Sequence, residues 1–158
     1  MSGVGHIGEL QIIDVLEKQH NFHIYLPMKD KGLDFIAQKE NLSIQVQVKT
    51  STFQKERYYW FDIDKNKMIY SSNTFYIFVC YVLPRRKMMG KNRNFLIVPS
   101  LDLKEMISNK LIESKKNAPN IFNIFIYPDE KENKWIYKNK GKELDFSKYL
   151  NNFNFLKK

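Results

Sequence analysis

A single cysteine, Cys80, occurs in the chain, set inside the apolar run FYIFVCYV. An internal disulfide is therefore excluded, and a reducing, cytoplasmic setting is expected. Proline and glycine are sparse, 5 and 6 among 158 residues, and nowhere gather into a linker. With no internal repeat either, the chain reads as one domain spanning 1–158. Long apolar runs are missing as well. The longest, Phe75 to Leu83, is too short to cross a bilayer, and the N-terminus lacks the charged-then-apolar order of a signal segment. No membrane association is expected. Acidic residues are the scarcer charge, 17 Asp and Glu against 26 Lys and Arg, which leaves a formal net charge of +9 and a pI near 9.5. That excess points to a polyanionic partner. Apolar residues are plentiful: 43% hydrophobic and 15% aromatic is far from a disordered composition and supplies a core.

Periodicity orders the chain. Residues 3 to about 20 predict a helix, with Ile12, Ile13 and Leu16 on one side and Gln11, Asp14 and Lys18 on the other. FHIYLP predicts a short strand ended by Pro27, and strands near 33–39 and 43–50 form a hairpin. RYYWFDI reads as a fourth strand, and DKNKMIYSSN as a short helical or turn crossover. TFYIFVCYVL is apolar on both faces, as a central strand is. FLIVP is the next strand, followed by a second helix capped by Ser100, with Asp102 and Glu105 in its first turn and Lys115 and Lys116 in its last. IFNIFIY pairs with KWIYK across PDEKEN, and FSKYLNNFNF closes the chain as a weak helix. Helix, strands, then helices between strands define a mixed α/β sheet.

The hairpin carries the chemistry. In SIQVQVKTS, Ile44, Val46 and Val48 alternate with Gln45, Gln47 and Lys49, so one face of the strand is wholly polar. An even loop centred on Glu40 and Asn41 sets Asp34 opposite Gln47, with Lys49 two residues on along the same face. An odd loop would set Asp34 against Val48 and mix polar with apolar on both faces, so the even register is preferred. On the first helix, Glu9 projects from the apolar stripe, where a carboxylate is costly unless a cation or a donor meets it. Packed on the hairpin, it would join Asp34, Gln47 and Lys49. Oxygen donors of this kind suit Mg²⁺, and an ammonium beside them suits an attacking water.

In this order the residues resemble the PD-(D/E)XK nuclease superfamily. The acidic residue of its opening helix matches Glu9 in GHIGEL, its second-strand Asp matches Asp34 in KGLDFIA, and its third-strand triplet matches QVK, residues 47 to 49. No Pro precedes Asp34, and Gln47 stands where the family usually carries Glu or Asp, as in certain homing endonucleases. The G-x-D-x-I-A … V-K-T-S phrasing is most similar to the Holliday-junction-resolvase branch. The resemblance implies a restriction-endonuclease-like mixed sheet flanked by helices, core order α-β-β-β-α-β. It also implies Mg²⁺-dependent hydrolysis of DNA leaving 5′-phosphate and 3′-hydroxyl ends, with Mn²⁺ able to substitute. Asp34, Gln47 and the Val48 carbonyl would hold the metal, Glu9 would complete the site and Lys49 would position the water. Thr50 and Ser51 would contact DNA.

Other features carry less. His20 and His23 form H-x-x-H without cysteine or acidic partners and read as surface residues, not a zinc site. Tyr58, Tyr59 and Trp60 suit core and sheet-edge packing better than base stacking. The loop PRRKMMGKNRN holds five basic residues and no acid, so Arg85, Arg86, Lys87, Lys91 and Arg93 are candidate phosphate contacts. The expected assembly is a homodimer or higher homo-oligomer, since cutting two strands needs two sites. The alternative is a nucleic-acid-binding module on the same fold whose catalysis was lost with the carboxylate at position 47. A basic scaffold for an acidic protein is a third reading.

Overall fold

Strand-length alternation and one long amphipathic segment dominate the sequence, and the elements follow them. The computed structural model describes residues 3–28, 32–55, 57–81, 93–129 and 131–157. Helix α1 (Gly3–His20) leads to β1 (His23–Tyr25), β2 (Phe35–Lys39), β3 (Leu42–Thr52) and β4 (Tyr59–Asp64). A 3-10 turn (Lys65–Lys67), β5 (Thr74–Tyr81), β6 (Arg93–Pro99) and α2 (Ser100–Ser108) follow. The chain ends with β7 (Ser114–Lys115), β8 (Ala118–Asp129), β9 (Lys134–Asn139), β10 (Lys142–Asp145) and 3-10 turns at Ser147–Tyr149 and Phe153–Leu156.

The strands make two sheets. The first has the order β1-β2-β3-β5-β6, antiparallel except for the parallel pair β3–β5. The second has the order β10-β9-β8-β4, antiparallel throughout, with β7 beside β8. Strand β5 explains how they stack. Phe75, Ile77 and Val79 meet Ile12, Val15 and Leu16 of α1, while Tyr76, Phe78 and Cys80 meet Tyr59, Phe61, Trp135 and Tyr137 of the second sheet. The layers are thus helix, mixed sheet, antiparallel sheet. Each large apolar side chain so enclosed contributes about 1.5–3 kcal/mol.

The mixed α/β class and the strand assignments agree with the sequence reading; several details differ. The fourth strand and the turn after it fall where the sequence placed them, but β4 pairs with β8 in the second sheet. A strand and a 3-10 turn thus join β3 to its parallel neighbour β5 where the implied core order had a helix. A period of two in Tyr59, Phe61 and Ile63 suits a strand there and no helix. Ser100 is the first residue of α2 and not its cap: its hydroxyl donates to Ser71 O and accepts from Ser71 N–H. Helix α2 stops at Ser108, and Lys110 has a left-handed φ of 57°, so Lys115 falls in β7 and Lys116 beyond the helix. The terminal helix is replaced by two 3-10 turns. Between them Asn151 is bound to β6: its N–H donates to Phe95 O, its side-chain oxygen accepts from Phe95 N–H, and its φ of 48° interrupts helical winding.

Candidate active site

The β2–β3 hairpin closes over Glu40 and Asn41, with Lys39 opposite Leu42 and Phe35 opposite Val46. This is the even register that the polar face demanded. Glu40 takes the left-handed φ, 53°, that lets so short a loop reverse the chain. Asp34 lies one residue past the last pair. Its N–H donates to Val46 O at 2.9 Å, and its carboxylate Oδ2 accepts from Val48 N–H at 2.5 Å. Where β2 gives out, the Asp34 side chain thus takes over the acceptor role along β3. A charged acceptor makes this a strong bond and fixes the carboxylate beside the backbone of Val48.

Helix α1 brings Glu9 to the same place, and Gly8 lets it. A Cβ built on Gly8 would lie 1.8 Å from Thr50 Oγ1, so only glycine permits α1 to approach β3 this closely. The two carboxyls meet. Glu9 is pushed up to about 7, first by burial, then by the Asp34 charge and by the hydrogen bond between the two side chains. At neutral pH the pair therefore holds a proton much of the time, and a cation would displace it.

Gln47 supplies an independent observation. Its Oε1 is buried and has no hydrogen-bond partner. Its neighbour on that face, Gln45, accepts from the Thr74 hydroxyl at 3.1 Å. An unmet buried oxygen costs about 1–3 kcal/mol, which a bound cation would offset. Lys49, half-buried, follows two residues on along the face. In register with β5, Gln47 lies beside Tyr76 and Lys49 beside Phe78, on the side of the first sheet that faces the second.

The remaining candidates separate. Val48 itself donates to Asp34. Thr50 points its hydroxyl, buried and without a partner, towards Gly8. Ser51 is buried, and its Oγ accepts from Trp60 N–H and donates to Thr52 O, joining β3 to β4. Arg93 opens β6 opposite Tyr81 and lines a cavity of about 580 Å³ with Gln19, His20 and Phe95. Arg85, Arg86, Lys87 and Lys91 lie outside the described residues. His20 stacks on Phe153 with ring centres 4.4 Å apart, and burial lowers its pKa; His23 is exposed opposite Gln38. Tyr59 is in the core, stacked on Trp135, whereas Tyr58 and Trp60 are on the outer face of the second sheet.

Among the described residues no three His, Cys, Asp or Glu side chains converge as a metal-ligand set. The donor set here is of another kind: two carboxylates, one unmet amide oxygen and a strand backbone. Hard oxygen donors with a shared negative charge fit Mg²⁺ or Mn²⁺ and do not fit a soft metal. Sequence reasoning named these residues, but not Gly8. Its signal was a small residue directly before the acidic one on a helix face.

No protein-family model matches the chain, and no curated protein matches its sequence. Its backbone is similar to that of a solved structure, the bacterial homing endonuclease I-Ssp6803I. The TM-score is 0.56 at 16% identity, covering 96% of this chain and 86% of the other. The chain therefore has an endonuclease-like mixed α/β fold, matched over nearly its whole length.

Proposed function

We propose that the chain is a Mg²⁺-dependent DNA endonuclease that hydrolyses phosphodiester bonds at the Asp34–Gln47–Lys49 face of β3, as a member of the PD-(D/E)XK superfamily. The observation that carries this reading is the meeting of the Glu9 and Asp34 carboxyls, and it is supported by the buried, unmet oxygen of Gln47 and by a fold similar to that of a homing endonuclease. Asp34, Gln47 Oε1 and the Val48 carbonyl would hold the metal, and Glu9 would complete the set. When bound, Mg²⁺ supplies charge stabilisation at the phosphate and lowers the pKa of a water. Val48 N–H holds the Asp34 carboxylate in place, so the ligand needs little reorganisation. The Lys49 ammonium orients the attacking water and offsets charge gathering on the phosphate. The basic surplus of the chain draws DNA to the site, Mn²⁺ substitutes for Mg²⁺, and a homodimer supplies the second site for the second strand. The single buried cysteine suits a cytoplasmic enzyme. Among the described residues no helix is long and apolar enough to cross a membrane.

The test is plasmid nicking with and without Mg²⁺. The parent should nick only with metal, and Asp34→Ala should not nick at all while binding DNA as well or slightly better. Equal nicking by Asp34→Ala would displace the site from β3. The second reading, a DNA-binding module without catalysis, is favoured by one observation: residue 47 is an uncharged glutamine. An inactive parent whose Gln47→Glu variant nicks DNA would establish it.

A further inference from the structure

Alternation along β4 and β8 sorts large apolar and aromatic residues onto two faces. Tyr59, Phe61, Phe122 and Ile124 fill the core, while Tyr58, Trp60, Phe125 and Tyr127 stand on the outer face. These outer rings form one connected row. Trp60 stacks on Phe125 at 5.8 Å, Phe125 meets Tyr58 edge-on at 5.7 Å, and Tyr58 meets Tyr127 at 5.4 Å. Trp60 is 43% exposed, yet its ring is fixed, because Nε1 donates to Asp62 Oδ1 at 3.0 Å and to Asn123 Oδ1 at 3.1 Å. A rigid aromatic row on an open sheet face marks an interaction surface, since exposure alone gains the chain nothing.

Opposite the row rises a wall of lysines. Lys140 and Gly141, with φ of 50° and 80°, make the tight turn between β9 and β10. Lys138, Lys140 and Lys142 flank a groove of about 490 Å³ whose other side is Tyr58, Phe125 and Tyr127. Lys138 Nζ lies 5.6 Å from the Tyr127 ring centre, and Lys115 Nζ lies 5.2 Å from that of Trp60. The lysines have carboxylate neighbours: Glu143 at 3.9 Å from Lys138, Glu113 at 3.9 and 3.1 Å from Lys140 and Lys142, and Asp62 at 3.0 Å from Lys115. Such partly exposed pairs are weak and salt-screened, so a phosphate chain competes for the ammonium groups.

We propose that this groove binds single-stranded nucleic acid, with bases stacked on the aromatic row and phosphates running along Lys138, Lys140 and Lys142. Flat rings on one side and cations on the other match the two halves of a nucleotide strand. A duplex keeps its base faces stacked inside and has nothing to offer the row, so the ligand is unpaired. A second copy of the chain is a poorer match, because a two-fold contact here would crowd the lysines of both copies into one interface. The groove lies on the far face of the second sheet from the inter-sheet core and shares no residue with the Glu9–Asp34–Gln47 face, so it stands whether or not the nuclease reading does.

The experiment is an intrinsic-fluorescence titration with oligothymidylate, in chelator, on the full chain carrying Asp34→Ala, so that cleavage plays no part. The tryptophans are Trp60, exposed, and Trp135, fully buried, so stacking should quench the first alone. Saturable quenching should appear in this chain and vanish when Trp60→Phe is added. Tyr127→Ala should weaken binding about tenfold or more. The Lys138→Gln, Lys140→Gln double variant, altered only at the surface, should lower the slope of log affinity against log salt by about 0.7 for each phosphate that the removed ammonium groups had neutralised. Three results would overturn the proposal. One is equal quenching by heparin, a polyanion without bases. Another is unchanged affinity in both the Tyr127 and lysine variants. The third is concentration-dependent quenching without nucleic acid, accompanied by a doubled mass in sedimentation, which would assign the face to a second copy.

Discussion

At the scale of single residues, the candidate site rests on how Glu9, Asp34 and Gln47 share charge and donors. Glu9 has a folded pKa of about 7 against an ordinary 4.5. In that interval the folded, metal-free chain holds a proton that the unfolded chain has lost. The associated stability is therefore complete below pH 4.5 and lost as pH rises through 7. Glu9→Gln should change the thermal midpoint little at pH 4 and raise it at pH 8 in chelator. Mg²⁺ should raise the parent at pH 8 more than this variant. Equal midpoints at pH 8 in chelator would mean that the carboxyls do not meet. Gln47 separates the chemistry further. Gln47→Glu should bind free Mg²⁺ more tightly in calorimetry and retain nicking, whereas Gln47→Ala should lose several orders of magnitude in rate; an unaffected Gln47→Ala would remove this residue from the site. The residues themselves were legible in sequence because polar alternation in β3 admits only one register. Their contacts were not: the hydrogen bond from Val48 N–H to Asp34 depends on where β2 stops, and the pattern of side chains does not encode that end.

At the scale of elements, the placement of α1 on β3 decides whether Glu9 arrives. Helical periodicity gave the length of α1 and an apolar stripe of Ile12, Ile13 and Leu16; the fully buried side chains are Ile12, Val15 and Leu16, with Ile13 only half-buried. The closeness of approach depends on Gly8, which lies within a helix where glycine is intrinsically unfavourable. Gly8→Ala should improve helix propensity and still destabilise the protein by about 1–3 kcal/mol, since Thr50 must move to admit the methyl group. Nicking should fall by more than this loss of stability explains, because Glu9 moves with the helix. A Gly8→Ala, Thr50→Ser double variant, or better Thr50→Ala, should recover part of both. Chemical denaturation and nicking rates on these variants check the idea, and additive losses in the double variant would show that the two residues do not touch. Other elements were harder to read. The crossover through β4 depends on β8, more than fifty positions downstream, offering a strand edge to Tyr59–Asp64. The two terminal 3-10 turns likewise depend on a distant partner, Phe95 for Asn151, whereas α2 ends through local bonds, Lys110 N–H to Ile107 O and Leu111 N–H to Met106 O.

At the scale of the whole molecule, two cores share the strands β5 and β6, each of which sends alternate side chains into both. Side chains of β5 alternate between the α1 layer, through Phe75, Ile77 and Val79, and the second sheet, through Tyr76, Phe78 and Cys80. The apolar run FYIFVCYV announced a strand buried on both faces, but not that its second face meets another sheet. A central strand of this kind couples the layers, because neither core survives its loss. The helical signal in far-UV circular dichroism comes mainly from α1, on one side, while Trp135 fluorescence reports the core on the other. In a Trp60→Phe background, so that Trp135 alone emits, the two signals should follow one denaturation curve. Phe78→Ala removes a fully buried ring from the second-sheet core only and should cost about 3–5 kcal/mol. It should nevertheless shift both signals together to the same lower midpoint. If the fluorescence transition moved ahead of the helical one, the layers would be separate cooperative units, and α1 with its Glu9 could persist on the first sheet after the second had opened.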